Sequence, residues 1–164
     1  MTSFSHGDGG TRRRIGVLGV PSGAGAHAPG QERSPEAFRR AGLLERMAER
    51  GLDVHDLGDL PKVRWTPDPA SPRAQHAGQV AHVAGAVADA VASALPRSDT
   101  LLVLGGDCTI EVGVVAGFAR TGLRVGLIYL DAGPDLNVPS SVRLGSWTGW
   151  GPHTCSGCRK QPRR

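Results

Sequence analysis

The stretch Leu101–Asn137, LLVLGGDCTIEVGVVAGFARTGLRVGLIYLDAGPDLN, decides the fold of this chain. It reads as a buried strand (Thr100–Leu104), a tight GGDC turn (Gly105–Cys108), a helix (Thr109–Arg120), a second apolar strand (Val125–Leu130) and the acid-bearing turn Asp131–Asn137. A strand, a crossover helix and another strand form a right-handed parallel unit, and doubly wound sheets deliver chemistry at the carboxyl ends of their strands. Both strands here end in carboxylates, Asp107 after the first, Asp131 and Asp135 after the second. Three acids at one sheet edge are costly unless something positive sits among them, and a divalent metal is the usual answer.

Working outward toward the amino terminus, Arg14–Val20 (RIGVLGV) is an apolar first strand ended by Pro21, followed by a glycine-rich loop. Ser34, Pro35 and Glu36 supply a capping hydroxyl, a proline for the first helical position and an acid for the first turn. The spacing of Phe38, Ala41, Leu44 and Met47 or Ala48 predicts one helix running to about Arg50, closed by Gly51. Leu52–Leu57 alternates and reads as a more exposed second strand. The proline-rich segment Lys62–Arg73 is a loop, and Ala74–Leu95 is a helix stopped by Pro96. This alternation predicts an α/β fold, a three-layer, mainly parallel doubly wound sheet, with strands one, three and four inside and strand two at the edge. Residues 1–13 are expected to be a disordered basic terminus, 14–143 the α/β domain, and 144–164 an unstructured tail.

The 164 residues suffice for one domain of ordinary size, or for half of a larger one. The net charge of +4 invites a nucleic-acid partner. Seven of the 19 basic residues, however, lie near the two ends (Arg12, Arg13, Arg14, Arg159, Lys160, Arg163 and Arg164), and without them the chain has 12 basic residues against 15 acidic ones. A nucleic-acid surface needs its basic residues clustered on folded structure, so that partner is excluded. No apolar run is long enough to span a membrane, and no apolar segment follows the amino-terminal charges as in a secretory signal; a cytoplasmic location is expected. Three cysteines, Cys108, Cys155 and Cys158, are not read as a disulfide framework.

The glycine-rich loop lacks G-x-G-x-x-G, and no Lys-Ser/Thr pair of a phosphate loop exists, so nucleotide binding is not supported. Cys108 admits three readings: a small residue at a helix start, a soft-metal ligand, or a nucleophile, the last needing a base such as His27 or His153. Cys155-x-x-Cys158 with His153 offers three zinc ligands where a structural site wants four.

Two parts of the chain together resemble the arginase/agmatinase (ureohydrolase) family. The opening resembles its glycine-rich loop, GP…LR.AGLLE.L helix and DVKDYGDL strand, through Ser34, Pro35, Arg39, Ala41–Glu45 and Asp53–Leu60. The stretch Gly105–Cys108 is similar to the family's GGDH, and Asp131–Asn137 to its DAHxDLN. The resemblance covers about residues 14–143 and implies the first half of a manganese-dependent hydrolase of guanidino or amidino C–N bonds, acting on a small guanidino substrate. It implies metal-ligand roles for Asp131, bridging two ions, and Asp135, a supporting place beside them for Asp107, and substrate contact for Asn137; no catalytic residue is assigned. Cys108 and Gly133 stand where the family has histidines, and no later D-x-D follows. Impaired catalysis and weak or absent Mn²⁺ binding are therefore expected. The tail is expected to be an out-of-frame continuation, because a shifted frame from Gly145 onward can encode an amphipathic segment. The alternatives are a non-catalytic truncated fragment or interaction module, and zinc binding through Cys108 with the tail cysteines. An unfinished apolar sheet edge predicts a homo-oligomer or other self-association.

Overall fold

A computed structural model describes residues 13–71 and 74–131. Three parallel strands, β1 (Arg14–Gly19), β2 (Asp53–Asp59) and β3 (Thr100–Leu104), lie in the order β2-β1-β3. Arg14 faces Asp53 across one ladder, and Ile15 faces Thr100 across the other. The central strand is the most apolar and the best buried, with Val17 and Leu18 inside.

The helices α1 (Ser34–Arg40) and α2 (Leu43–Glu49) link β1 to β2; α3 (Ala77–Ala94) links β2 to β3, and α4 (Ile110–Arg120) follows β3. The step from β1 to β2 runs opposite to the step from β2 back past β1 to β3. Right-handed crossovers therefore put α1 and α2 on one face of the sheet and α3 on the other, which makes three layers. On the α3 face, Val83, Val87 and Val91 recur at helical spacing and pack with Leu18, Val20 and Ile110 into the core. Each such fully buried side chain contributes about 1.5–3 kcal/mol. The helices α3 and α4 approach so closely that only glycine fits at Gly113 and Gly117 of α4. A Cβ at Gly113 would stand 2.5 Å from the Ala84 carbonyl oxygen, and one at Gly117 would stand 2.7 Å from the Val91 Cβ.

Arg39 ties α1 to the edge strand. Its guanidinium donates to both Asp56 oxygens at 2.9 and 2.8 Å and to Asp59 at 2.6 Å. The hydrogen bond from Arg39, resisted by partial burial and helped by the Gly58 N–H, holds the Asp56 carboxyl below its usual range; the same pair raises Arg39.

Several expectations are corrected. The helix expected to run to Arg50 is broken into α1 and α2 because Gly42 adopts φ 76°, which only glycine takes at little cost. Phe38 of α1 is 50% exposed rather than in the core. The Ser34 hydroxyl donates to the Gln31 carbonyl instead of capping α1, although Pro35 sits in the first turn as expected. The helix expected from Ala74 starts at Ala77, since His76 takes a left-handed φ of 53° and donates its N–H to Asp68. The expected fourth strand does not form: Val125–Leu130 makes no ladder among the described residues. Leu123, Val125, Leu127, Ile128 and Leu130 are all exposed, Leu130 at 91%. A strand exists only through a neighbour's backbone groups, and within the described residues β3 does not supply them to this segment. The predicted boundaries at 143 and 144 and the tail lie outside the described residues.

Candidate functional site

The helices following the neighbouring strands β1 and β3 leave the sheet toward opposite faces, because α1 lies on one side and α4 packs with α3 on the other. Such a reversal, at the carboxyl ends of the two strands, is where doubly wound folds hold their ligands. The residues lining this point are the glycine-rich loop Ser22–Ala26 after β1 and the turn Gly105–Cys108 after β3.

The two segments are laced together. The Asp107 N–H donates to the Ser22 carbonyl at 2.9 Å. The Asp107 carboxylate, 1% exposed, receives the Gly25 N–H at 3.0 Å and the Ser22 hydroxyl at 3.4 Å on Oδ2. On Oδ1 it receives the Thr109 N–H at 2.9 Å and the Thr109 hydroxyl. A Cβ at Gly106 would collide with the Ser22 backbone, so the GGDC turn needs its second glycine for this approach. On its other side the loop is held by Val63, which accepts the Gly23 N–H at 2.8 Å, and by Trp65, whose indole donates to the Ala26 carbonyl at 3.0 Å. Glu32 is buried close by and accepts the Gly30 N–H at 2.8 Å. Burial pushes its carboxyl up, but the Gly30 and Glu32 N–H groups and the charges of Arg33 and Arg64 bring it below the ordinary value.

The loop's N–H groups are consequently spent inside the protein: Gly23 on Val63, Ala24 on the Ser22 hydroxyl at 3.2 Å, Gly25 on Asp107, and Ala26 on Gly23 at 3.2 Å. A phosphate cradle needs such donors aimed outward. The geometry thus agrees with the absence of a nucleotide motif.

Of the residues singled out in the sequence, Asp107 is buried and committed to its four donors, Cys108 is exposed at the start of α4, and Asp131 is exposed and accepts the Tyr129 hydroxyl at 3.0 Å. Among the described residues, no three His, Cys, Asp or Glu side chains come together closely enough to hold a metal ion, so Asp107, Cys108 and Asp131 do not form such a group. Asp135, Asn137, Gly133, His153, Cys155 and Cys158 lie outside the described residues. Sequence reading missed Ser22, Gly25 and Thr109. The signal was there, since a hydroxyl lies two residues past the Val20 strand end and another two residues past Asp107.

Residues 13–151 match the sequence profile described as the arginase family. The chain is 34% identical to human arginase-1 over 137 residues, covering 84% of this chain and 42% of that protein. It is 34% identical to the arginase of Bacillus caldovelox, covering 80% of this chain and 45% of that enzyme. The solved structure of the Bacillus caldovelox arginase superposes with a TM-score of 0.74, covering 84% of this chain and 47% of that one. The arginase of Entamoeba histolytica, solved in complex with L-ornithine, gives 0.71 at 26% identity, covering 84% and 48%. The chain thus spans less than half the length of the relatives it matches.

Proposed function

Because the chain belongs to the arginase family, we propose that its sheet carries the amino-terminal part of a ureohydrolase-type site, for hydrolysis of a guanidino C–N bond, and that this chain is catalytically impaired. The observation that carries the reading is the GGDC turn at the switch point, in a chain matched to arginases along 84% of its length. The L-ornithine complex of the Entamoeba histolytica relative supports an arginine-like substrate; Asn137 is the contact residue that the resemblance of Asp131–Asn137 to the family's DAHxDLN implies.

The family implies manganese, which favours carboxylate and imidazole ligands. The residues described here do not fit a two-manganese centre. Asp107 has committed both oxygens to protein donors, and Cys108 offers a soft thiolate where the family has a histidine. Asp131 and Asp135 remain the candidate ligands, with Gly133 unable to contribute between them. A non-catalytic role is the second reading, favoured by Cys108 and Gly133 standing where the family has histidines.

The test is urea release from arginine and from agmatine with Mn²⁺ supplied, by the chain as it is and by Cys108→His/Gly133→His. No release by the unaltered chain and measurable Mn²⁺ affinity only in the double variant support impairment through the missing imidazoles. Turnover at ordinary enzyme rates by the unaltered chain, lost in Asp135→Ala, overturns the impairment.

A further inference from the structure

We propose that Asp107 is a positioning residue, a carboxylate clamp that fixes the glycine loop Ser22–Ala26 against the GGDC turn and so holds the exposed Cys108 at the carboxyl edge of the sheet. The inference rests on reading the carboxyl edge as the site, and it deepens that reading by giving Asp107 a role other than ligand.

Three observations carry it. First, the carboxylate is 1% exposed, and its two oxygens take two donors each, two from the loop and two from Thr109. Second, its loop partners lie 85 and 82 residues away in the chain, so the group joins the ends of two strands rather than its own turn. Third, the loop backbone lies directly against the pair: a Cβ at Gly25 would lie 2.4 Å from Thr109 Cγ2 and 3.0 Å from Asp107 Oδ1, so glycine is needed there for the approach. An ionised carboxylate is the only side chain of this size that accepts four hydrogen bonds and donates none. Asparagine, in either orientation, turns an amino group toward a fixed N–H, that of Gly25 or that of Thr109. Glutamate carries the charge but is one methylene too long.

The test uses the full chain with Cys155→Ser and Cys158→Ser, leaving Cys108 as its one thiol. It compares Asp107→Asn, Asp107→Glu, Ser22→Ala, Thr109→Ser and Thr109→Val by amide hydrogen exchange and by the rate of Cys108 alkylation. The clamp predicts exchange about tenfold or more faster over residues 22–26 in Asp107→Asn, with the amides of β1 and α3 unchanged. Cys108 alkylation should change in parallel. Asp107→Glu should fail to rescue, Thr109→Ser should behave as the parent and Thr109→Val should not, and Ser22→Ala should add little to Asp107→Asn. Should Asp107→Asn fail to fold, Ser22→Ala, which removes one donor to Oδ2, carries the same local prediction by itself. Unchanged loop exchange, uniform acceleration across the core, or rescue by Asp107→Glu overturns the clamp. None of these readouts needs catalysis, so the clamp and the hydrolase reading can fail separately.

Discussion

Replacing Gly113 by alanine should destabilise the chain, while the same replacement at Gly85 should stabilise it. Both glycines lie inside helices, Gly113 in α4 and Gly85 in α3. Removing a helical glycine gains about 0.5–1 kcal/mol of intrinsic propensity at either place. The surroundings decide the sign. Nothing lies within 4 Å of a Cβ built at Gly85. At Gly113 the new methyl would meet the Ala84 carbonyl oxygen at 2.5 Å and the Val87 Cβ at 2.7 Å. Both obstacles are backbone or rooted in it, so relief requires α3 and α4 to part, opening the seam around the fully buried Val87 and Val91. Overpacking of this kind costs about 1–3 kcal/mol. Gly113→Ala should therefore lose about 1–2 kcal/mol net, Gly85→Ala should gain about 0.5–1 kcal/mol, and the twins should differ by roughly 2 kcal/mol. Urea titration followed by far-UV circular dichroism reads both midpoints. In a domain of this size the melting temperatures should move in opposite directions, by roughly 3–5 °C per kcal/mol. Equal stabilisation by both substitutions would refute the close helix seam.

The remaining expectations concern charge, edge and tail. The Asp56 carboxyl is depressed in the fold, so its pairing with Arg39 contributes stability above the unfolded carboxylate range, near pH 4. That contribution is lost as pH falls through the lower folded value; Arg39→Ala should cost about 0.5–1 kcal/mol at pH 7 and flatten the decline of stability below pH 4, as read from urea midpoints against pH. Ile128→Lys with Leu130→Lys, at side chains 88% and 91% exposed, should reduce light scattering at high protein concentration without lowering the melting temperature. An unchanged association state would remove this segment as its cause. Deleting residues 144–164 should shift the melting temperature by less than about 2 °C, and a fall of many degrees would make Trp147, Trp150 and the tail cysteines parts of the fold.

The strand–helix alternation, the parallel sheet with β2 at its edge and the GGDC turn at a strand's end were legible in the order of the residues. These follow from apolar runs, helical spacing and turn residues, all local signals. The same order also carried the family resemblance in Arg39, Asp53–Leu60 and Gly105–Asp107. The tertiary structure decided what needed a partner distant in the chain. Gly42 broke a helix whose periodicity looked continuous, because a left-handed φ redirects the backbone whatever side chains follow. Val125–Leu130, apolar enough for a strand, formed none within the described residues, since a ladder depends on a neighbour that composition cannot announce. Asp107 shows the division most clearly. In the sequence it is one of three acids at a sheet edge and invites a cation. In the fold its charge is answered by Thr109 from its own turn and by Ser22 and Gly25, which folding brings from over 80 residues away to within hydrogen-bonding distance, and the sign of a buried charge's environment is set by what packs around it.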